Sequence, residues 1–216
     1  MRIVKPEVIV EDKVDGMQIL RNLERYGRVC YKSENRITDD SAKEFIKHAI
    51  EIGHHSIIEH ERITVRIICD RGVTHEIVRH RVASYSQEST RYCNYGKDKF
   101  GNEIAVIDPC FWPDRETLDS DDYAKYRAWE LAMREAEGRY MELLSYGATP
   151  QEARSVLPNS LKTEIIVTFN IREWRHFFKL RGSKAVHPQM REIVKMAWEK
   201  LSALVPVVFD DCKPED

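Results

Sequence analysis

The chain has 216 residues, 42% hydrophobic and 32% charged, with 34 basic against 36 acidic side chains and a net charge of −2. That length can bury a core without staples, and the balance excludes both a disordered chain and a globally basic nucleic-acid binder. No apolar run approaches the roughly 20 residues of a membrane span, and Met1 to Pro6 carries no signal-peptide core.

In chain order, Arg2 to Val10 alternates and is rich in β-branched residues, which predicts a strand. A helix is expected from Asp15 to about Gly27, with Met17, Leu20 and Leu23 on one side. Ser41 and Glu44 make a capping-box pattern for the next helix, with Ala42, Phe45, Ile46, Ala49 and Ile50 inward and Gly53 as its stop. The run G-H-H-S-I-I-E-H then gathers His54, His55, Glu59 and His60; a metal site would need a fourth ligand and matched spacing, and no cysteine stands nearby, which leaves helix-stop and surface histidines or an imidazole that stacks on a flat cofactor. Arg62 to Cys69 predicts a strand with Ile63, Val65 and Ile67 on one face, followed by a turn at Asp70-Arg71-Gly72 and a short helix from Val73 to about Val82.

Glu103 to Ile107 reads as a strand, and Pro109 and Pro113 flank a loop. Ser120 is expected to cap a helix from Asp121 to Tyr146 with Trp129, Met133, Ala136, Tyr140 and Leu143 inward. Thr149-Pro150-x-Glu152 is a second capping box, opening a helix that carries Arg154. Thr163 to Phe169 predicts a strand, and Asn170 caps a helix through Leu180 whose polar side carries Arg172 and His176. His187-Pro188 opens the last helix, with Met190, Ile193, Val194, Ala197 and Leu201 on its apolar stripe. Strands separated by unequal helical insertions predict the α+β class, a mostly antiparallel sheet packed with several helices in one domain over 1–216.

Five cysteines (Cys30, Cys69, Cys93, Cys110, Cys212) without a C-x-x-C pair point to thiols in a reducing cytoplasm. The most ordered polar stretch is Glu76 to Tyr95. His75 to His80 spells H-E-x-x-x-H, one residue longer than a zincin motif. On a helix that spacing sets the imidazoles roughly 140° apart, too far for one zinc. Glu76, Arg79 and His80 are expected on one helical face. Ser84, Ser86, Ser89 and Thr90 with Arg91 supply the hydroxyl and guanidinium donors that phosphate favours, chemistry also open to a ribonuclease or an RNA-binding loop. Arg154 and Arg181 stand near helix ends, where cations complement the dipole; with Arg79 and Arg91 they suffice for a phosphorylated ligand. Neither G-x-G-x-x-G nor a G-x-x-x-x-G-K-[ST] loop occurs, so a nucleotide would be held by other means.

Arg79-His80-Arg81-x-x-Ser84-x-Ser86-x-x-Ser89-x-Arg91 closely resembles the R-H-R-x-x-S-x-N-x-x-S-x-R signature of the flavin-dependent thymidylate synthases. The flanks G-H-H-S-I-I-E-H, A-R-S-V-L-P, F-N-I-R and L-R-G-S-K-A-V-H-P-Q extend the resemblance along the chain. It departs at Ser86, where asparagine is usual, at Gln87-Glu88, at Cys30 and at His176. The resemblance implies methylation of dUMP to dTMP, with methylenetetrahydrofolate as one-carbon donor and FAD, reduced by NADPH, as hydride donor. It implies that His54, Ser56, Arg79, His80, Arg81, Gln87, Asn170, Ile171, Arg172 and His176 meet FAD. Glu76, Arg79, Gln87, Glu88, Ser89, Thr90, Arg91, Arg154 and Arg181 would surround dUMP, with Arg181 stabilising negative charge on the pyrimidine. No enzyme nucleophile, metal, membrane or nucleic acid is implied. A homotetramer with shared active sites is, so residues around one ligand need not come from one chain. An RNA-binding or ribonuclease protein using the basic loop is the alternative, together with a flavin-free thymidylate synthase, which needs a cysteine nucleophile.

Overall fold

The structure is a computed structural model that describes residues 1–112 and 118–215. Pro113, the second proline of the loop expected after Ile107, lies outside the described residues. The strand expected from Arg2 to Val10 is two strands, β1 (Arg2–Val4) and β2 (Glu7–Val10). Pro6 interrupts them because proline has no amide hydrogen for a ladder. The first helix, α1 (Gly16–Val29), starts where expected, with the Asp15 carboxylate accepting from the Gln18 amide at 2.9 Å. It runs two residues beyond Gly27.

Helix α2 (Ser41–Glu51) corrects the capping-box reading. Its N-cap is Asp40, with no side-chain cap bond. The Ser41 hydroxyl instead donates to Glu24 Oε2 at 2.9 Å and accepts from the Thr38 amide. The stop at Gly53 holds, with φ +80°, a left-handed conformation that glycine adopts without strain. Strand β3 (Arg62–Asp70) buries Ile63, Val65 and Ile67 as the alternation requires.

The next helix, α3 (Arg71–Ile77), begins directly at the expected turn and ends five residues before Val82. Asp70 Oδ1 caps it by accepting from the Val73 amide at 2.7 Å. Arg79, His80 and Arg81 therefore lie beyond the helix, so the shared helical face expected for Glu76, Arg79 and His80 does not form. Strand β4 (Ala83–Gln87) follows, then β5 (Ala105–Ile107). The long helix α4 (Ser120–Ser145) is capped by Asp119 rather than Ser120, its carboxylate accepting from the amides of Asp121 and Asp122.

Thr149 and Glu152 form the expected capping box at α5 (Pro150–Ala153). Strand β6 (Lys162–Asn170) leads into α6 (Ile171–Arg181), where Asn170 Oδ1 accepts from the Glu173 amide at 2.8 Å. The last helix, α7 (Pro188–Leu204), buries all five residues of its expected stripe.

The expected α+β class is what the chain adopts. Strands β2, β3, β6 and β4, in that order, form a four-stranded antiparallel sheet, and β1 pairs with β5 in parallel register. Among the described residues no helix is long and apolar enough to cross a membrane.

The chain packs as two compact units. The first comprises Met1–Glu7, Ile68–Ile77 and Ser86–Ile165; the second comprises Val8–Ile67, Val78–Tyr85 and Ile166–Asp216. The first is centred on Tyr95, Ile104, Val106, Met133, Tyr140 and Leu161. The second is centred on an aromatic cluster in which Trp174 touches Phe169, Phe177 and Phe178. Within the second unit a Cβ at Gly16 would stand 1.9 Å from the Leu204 carbonyl oxygen. Gly16→Ala must therefore push α1 away from the end of α7. A loss of about 1–3 kcal/mol is expected in a denaturant titration.

Candidate active site

The residues expected at a flavin, apart from Gln87, lie in the second unit, and most of those expected at dUMP lie in the first. Arg79 and Arg181 belong to the second unit, although the resemblance places them at dUMP.

In the second unit, α6 organises the side chains. Its buried face (Ile171, Trp174, Phe177 and Phe178) locks the helix in the core. Arg172 and His176 project outward from the other side, Glu173 is buried beside His80, and Arg181 continues the line of Trp174 at the helix end. The Ile171 side chain is buried and its amide donates to the Glu61 carbonyl, so Ile171 offers a ligand no side chain.

His80 is buried between Phe169, Phe177 and His176, with ring centroids 5.8, 5.1 and 5.4 Å away. Both of its nitrogens are engaged. Nδ1 is 2.6 Å from Glu173 Oε1, and Nε2 accepts from Arg181 Nε at 3.3 Å. A ring that accepts at Nε2 and faces a carboxylate at Nδ1 is a neutral imidazole protonated on Nδ1. Burial pushes its pKa below the ordinary histidine range; the Glu173 carboxylate opposes that, and Arg181 and His176 reinforce it. Ligand-type atoms of His80, Glu173 and His176 lie within 4.8 Å of one another. The Arg181 cation on Nε2 opposes a divalent ion there.

A groove of about 470 Å3 runs along α6, lined in part by His55, Glu59, Asn170, Arg172, His176 and Lys179. Arg172 Nη1 is 2.5 Å from Glu59 Oε1. The four residues of the histidine-rich run have separate partners. The His54 ring stacks on Tyr31, with centroids 6.0 Å apart, and is hydrogen-bonded to its hydroxyl. His55 Nε2 meets the Ile50 carbonyl at 3.3 Å, and His60 packs on Tyr26. Ser56, Arg79 and Arg81 are exposed.

In the first unit, the segment after β4 is held by its own network. Gln87 Nε2 donates to the hydroxyls of Thr74 and Thr163 at 3.1 and 3.3 Å. The Glu88 carboxylate accepts from the Tyr95 hydroxyl at 2.8 Å and pairs with Lys162 at 3.2 Å. Burial opposes the charge on Lys162, yet Glu164 and Glu88 hold its pKa above the ordinary lysine range. Thr90 is buried and its hydroxyl accepts from Arg154 Nη1 at 3.5 Å. Arg91 donates to Gln151 at 2.9 Å and lies over the Tyr92 ring, while Ser89 Oγ accepts from the Arg91 amide. Glu76 is half-buried on α3. The structure thus brings Gln87 to Arg91 together with Arg154, on a scaffold that includes Thr74, Tyr95 and Lys162.

Sequence reasoning missed Glu173 and Lys162. An N-x-x-E pattern at Asn170 to Glu173 was the available signal for the former, since a glutamate three residues past an N-cap is a recurrent helix start. Here that carboxylate turns to His80. Lys162 carried no local signal.

Residues 14–207 match the family model described as thymidylate synthase complementing protein. The flavin-dependent thymidylate synthase of Pyrococcus furiosus is 35% identical over 190 residues, which cover 88% of this chain and 72% of that protein. The UMP/dUMP methylase PolB of Streptomyces cacaoi, solved with 5-Br dUMP, has a TM-score of 0.80 at 22% identity, over 100% of this chain and 99% of that chain. Thymidylate synthase X of Helicobacter pylori, solved with FAD and dUMP, has a TM-score of 0.75 at 24% identity, over 97% of this chain and 100% of that chain. The two structures share the fold, while the family match over most of the chain and the identity to the Pyrococcus protein fix the kinship: the chain belongs to the flavin-dependent thymidylate synthase family.

Proposed function

We propose that the protein methylates dUMP to dTMP in the cytoplasm, using methylenetetrahydrofolate as one-carbon donor and FAD with NADPH as reductant. The observation that carries this reading is the Arg181 cation, half-buried at the end of α6 and fixed through Nε by a neutral imidazole. Uracil C5 is a weak nucleophile, and a preorganised cation beside the ring stabilises the negative charge that develops when C5 attacks.

The groove along α6 suits FAD by its donor set. Arg172 and Lys179, paired here with Glu59 and Asp211, together with the Asn170 amide would meet a diphosphate by exchanging those carboxylates for it, and imidazoles at His55 and His176 offer further polar contacts. His54, Ser56, Arg79, Arg81 and the Gln87 amide complete the proposed flavin set. When bound, FAD supplies the hydride it takes from NADPH. Ser89, Thr90, Arg91 and Arg154 hold the nucleotide phosphate, and Glu88 braces the segment through Tyr95 and Lys162; the resemblance adds Glu76 and Arg79 to the dUMP set without requiring that they come from one subunit. The assembly is a homotetramer in which several subunits contribute to each active site. Exposed Val78 and Val82, which bracket Arg79 to Arg81 in sequence, support a covered surface there.

Cys93 and Cys212 are disfavoured as nucleophiles. Burial, reinforced by Glu88, raises the Cys93 pKa, which keeps the thiol protonated at neutral pH, and burial pushes Cys212 up to about 12. Cys93→Ser is therefore expected to keep near wild-type dTMP formation; inactivity with normal folding and flavin content would restore a covalent mechanism.

The function is tested by a visible spectrum of the purified protein, followed by NADPH oxidation and dTMP assay with and without dUMP. A yellow protein that makes dTMP is expected. A colourless one that makes none, and whose affinity for RNA falls steeply with salt, would favour the RNA-binding alternative.

A further inference from the structure

We infer that Glu173 is a positioning residue for this reaction, acting through His80 to set the tautomer that aims the Arg181 guanidinium. The inference rests on the reading of Arg181 as the activating cation.

Glu173, His80 and Arg181 form a linear chain. The carboxylate accepts Nδ1–H at 2.6 Å, which leaves the Nε2 lone pair to accept Arg181 Nε–H at 3.3 Å. The opposite tautomer would place two N–H groups head to head and break the bond that orients the guanidinium. A buried carboxylate that holds an imidazole in one tautomer is a known means of fixing the group beyond it. Glu173 suits that task. It is 9% exposed, and its backbone is pinned by the Asn170 cap. Its negative charge stands in the first turn of α6, where the helix dipole favours it.

The surroundings of His80 supply no substitute. The titratable groups that face it are Glu173, His176 and Arg181 from α6 and Tyr85 from β4. The Tyr85 hydroxyl is spent on the His80 carbonyl at 2.7 Å. His176 and Arg181 disfavour a charged imidazole, so Glu173 is the group among these that opposes them. Phe169 and Phe177 close the remaining sides.

Glu173→Ala should lower kcat by on the order of 10–100-fold. The loss should fall on kcat more than on KM for dUMP, because the guanidinium stabilises charge that develops in the transition state. Glu173→Gln should recover much of that loss, since the amide oxygen can accept Nδ1–H. Without the carboxylate the imidazole binds its proton less readily, so the acid limb of the pH–rate profile should move to lower pH. The double variant with Arg181→Ala should be no worse than Arg181→Ala alone, as expected for residues that act in series.

Nitrogen-15 NMR of the imidazoles gives a readout apart from turnover. The His80 signal, assigned by its loss in His80→Gln, should show an unprotonated Nε2 in the wild type and a mixture in Glu173→Ala. Wild-type kcat in Glu173→Ala, or an unmoved acid limb in Glu173→Gln, would overturn the role of Glu173 while Arg181→Ala remained inactive. Near-normal turnover in Arg181→Ala would instead overturn the reading beneath it. If Glu173→Ala does not fold, the limb and the ring signal of Glu173→Gln decide alone.

Discussion

Arg181→Ala is expected to keep FAD bound and to lose dTMP formation by about 100- to 1000-fold in kcat, the cost of deleting one preorganised charge-stabilising group. The proposed flavin set (His54, His55, Ser56, Arg79, Arg81, Gln87, Asn170, Arg172, His176 and Lys179) does not include Arg181, so flavin content should not move. The direction follows from how the guanidinium is held. It is half-buried and bonded through Nε to a neutral ring, which orients the cation without cancelling its charge. Arg181→Lys keeps a charge but loses the planar group that meets His80 at a fixed angle. Its activity should fall between the two. Product chromatography for dTMP, with flavin absorbance measured after unfolding, separates the effects; near-normal turnover in the alanine variant would sink the role of Arg181.

Apart from local misses such as the Ser120 cap, taken by Asp119 one residue earlier, what the sequence disclosed and what it hid divide by the range of the interactions. The α7 stripe, the Thr149–Glu152 box, the Asn170 cap and the Gly53 stop were legible because each is decided within a few residues. Three expectations failed where a distant residue intervened or one proline outweighed a pattern. The Ser41 hydroxyl donates to Glu24, 17 residues earlier, and accepts from the Thr38 amide, while Asp40 takes the N-cap position, so Ser41 does not cap. Pro6 divides a run whose β-branched alternation looked continuous. Val73 to Val82 reads as helical locally, yet the chain leaves the helix after Ile77 and His80 enters an aromatic pocket to meet Glu173, 93 residues later. The site shows the same division. Its donor residues were visible as a signature, whereas the link from Glu173 through His80 to Arg181 joins positions that no spacing connects. The histidine-rich run carried strong ligand chemistry on paper, but Tyr31, the Ile50 carbonyl, Arg172 and Tyr26 each hold one of its members.

Trp174→Ala tests the other role of α6, as the core element that makes the site possible. Trp174 is fully buried, with ring centroids 4.7, 5.6 and 5.7 Å from Phe169, Phe177 and Phe178, and its indole N–H donates to the Ile63 carbonyl at 3.0 Å. Truncation removes the aromatic contacts, leaves a cavity and strips the Ile63 carbonyl of that donor. The expected cost is about 3–5 kcal/mol. For a chain of this size that corresponds to a fall in Tm of roughly 10 °C or more. Trp174→Phe should cost less, because it keeps a ring in the cluster and loses mainly the hydrogen bond, worth about 0.5–1.5 kcal/mol. Calorimetry or a denaturant titration on both variants checks the order, and an unchanged Tm in the alanine variant would refute the account of the core. The loss should reach the chemistry as well. Phe169 and Phe177, which Trp174 supports, are the walls of the His80 pocket. Arg181 stands seven residues on, about 20° around the helix from Trp174. A helix that loses its anchor at Trp174 can no longer hold the guanidinium in one place, and Arg172 and His176 of the proposed flavin groove ride on the same helix, so Trp174→Ala protein that remains folded at low temperature should show reduced kcat together with weaker flavin retention.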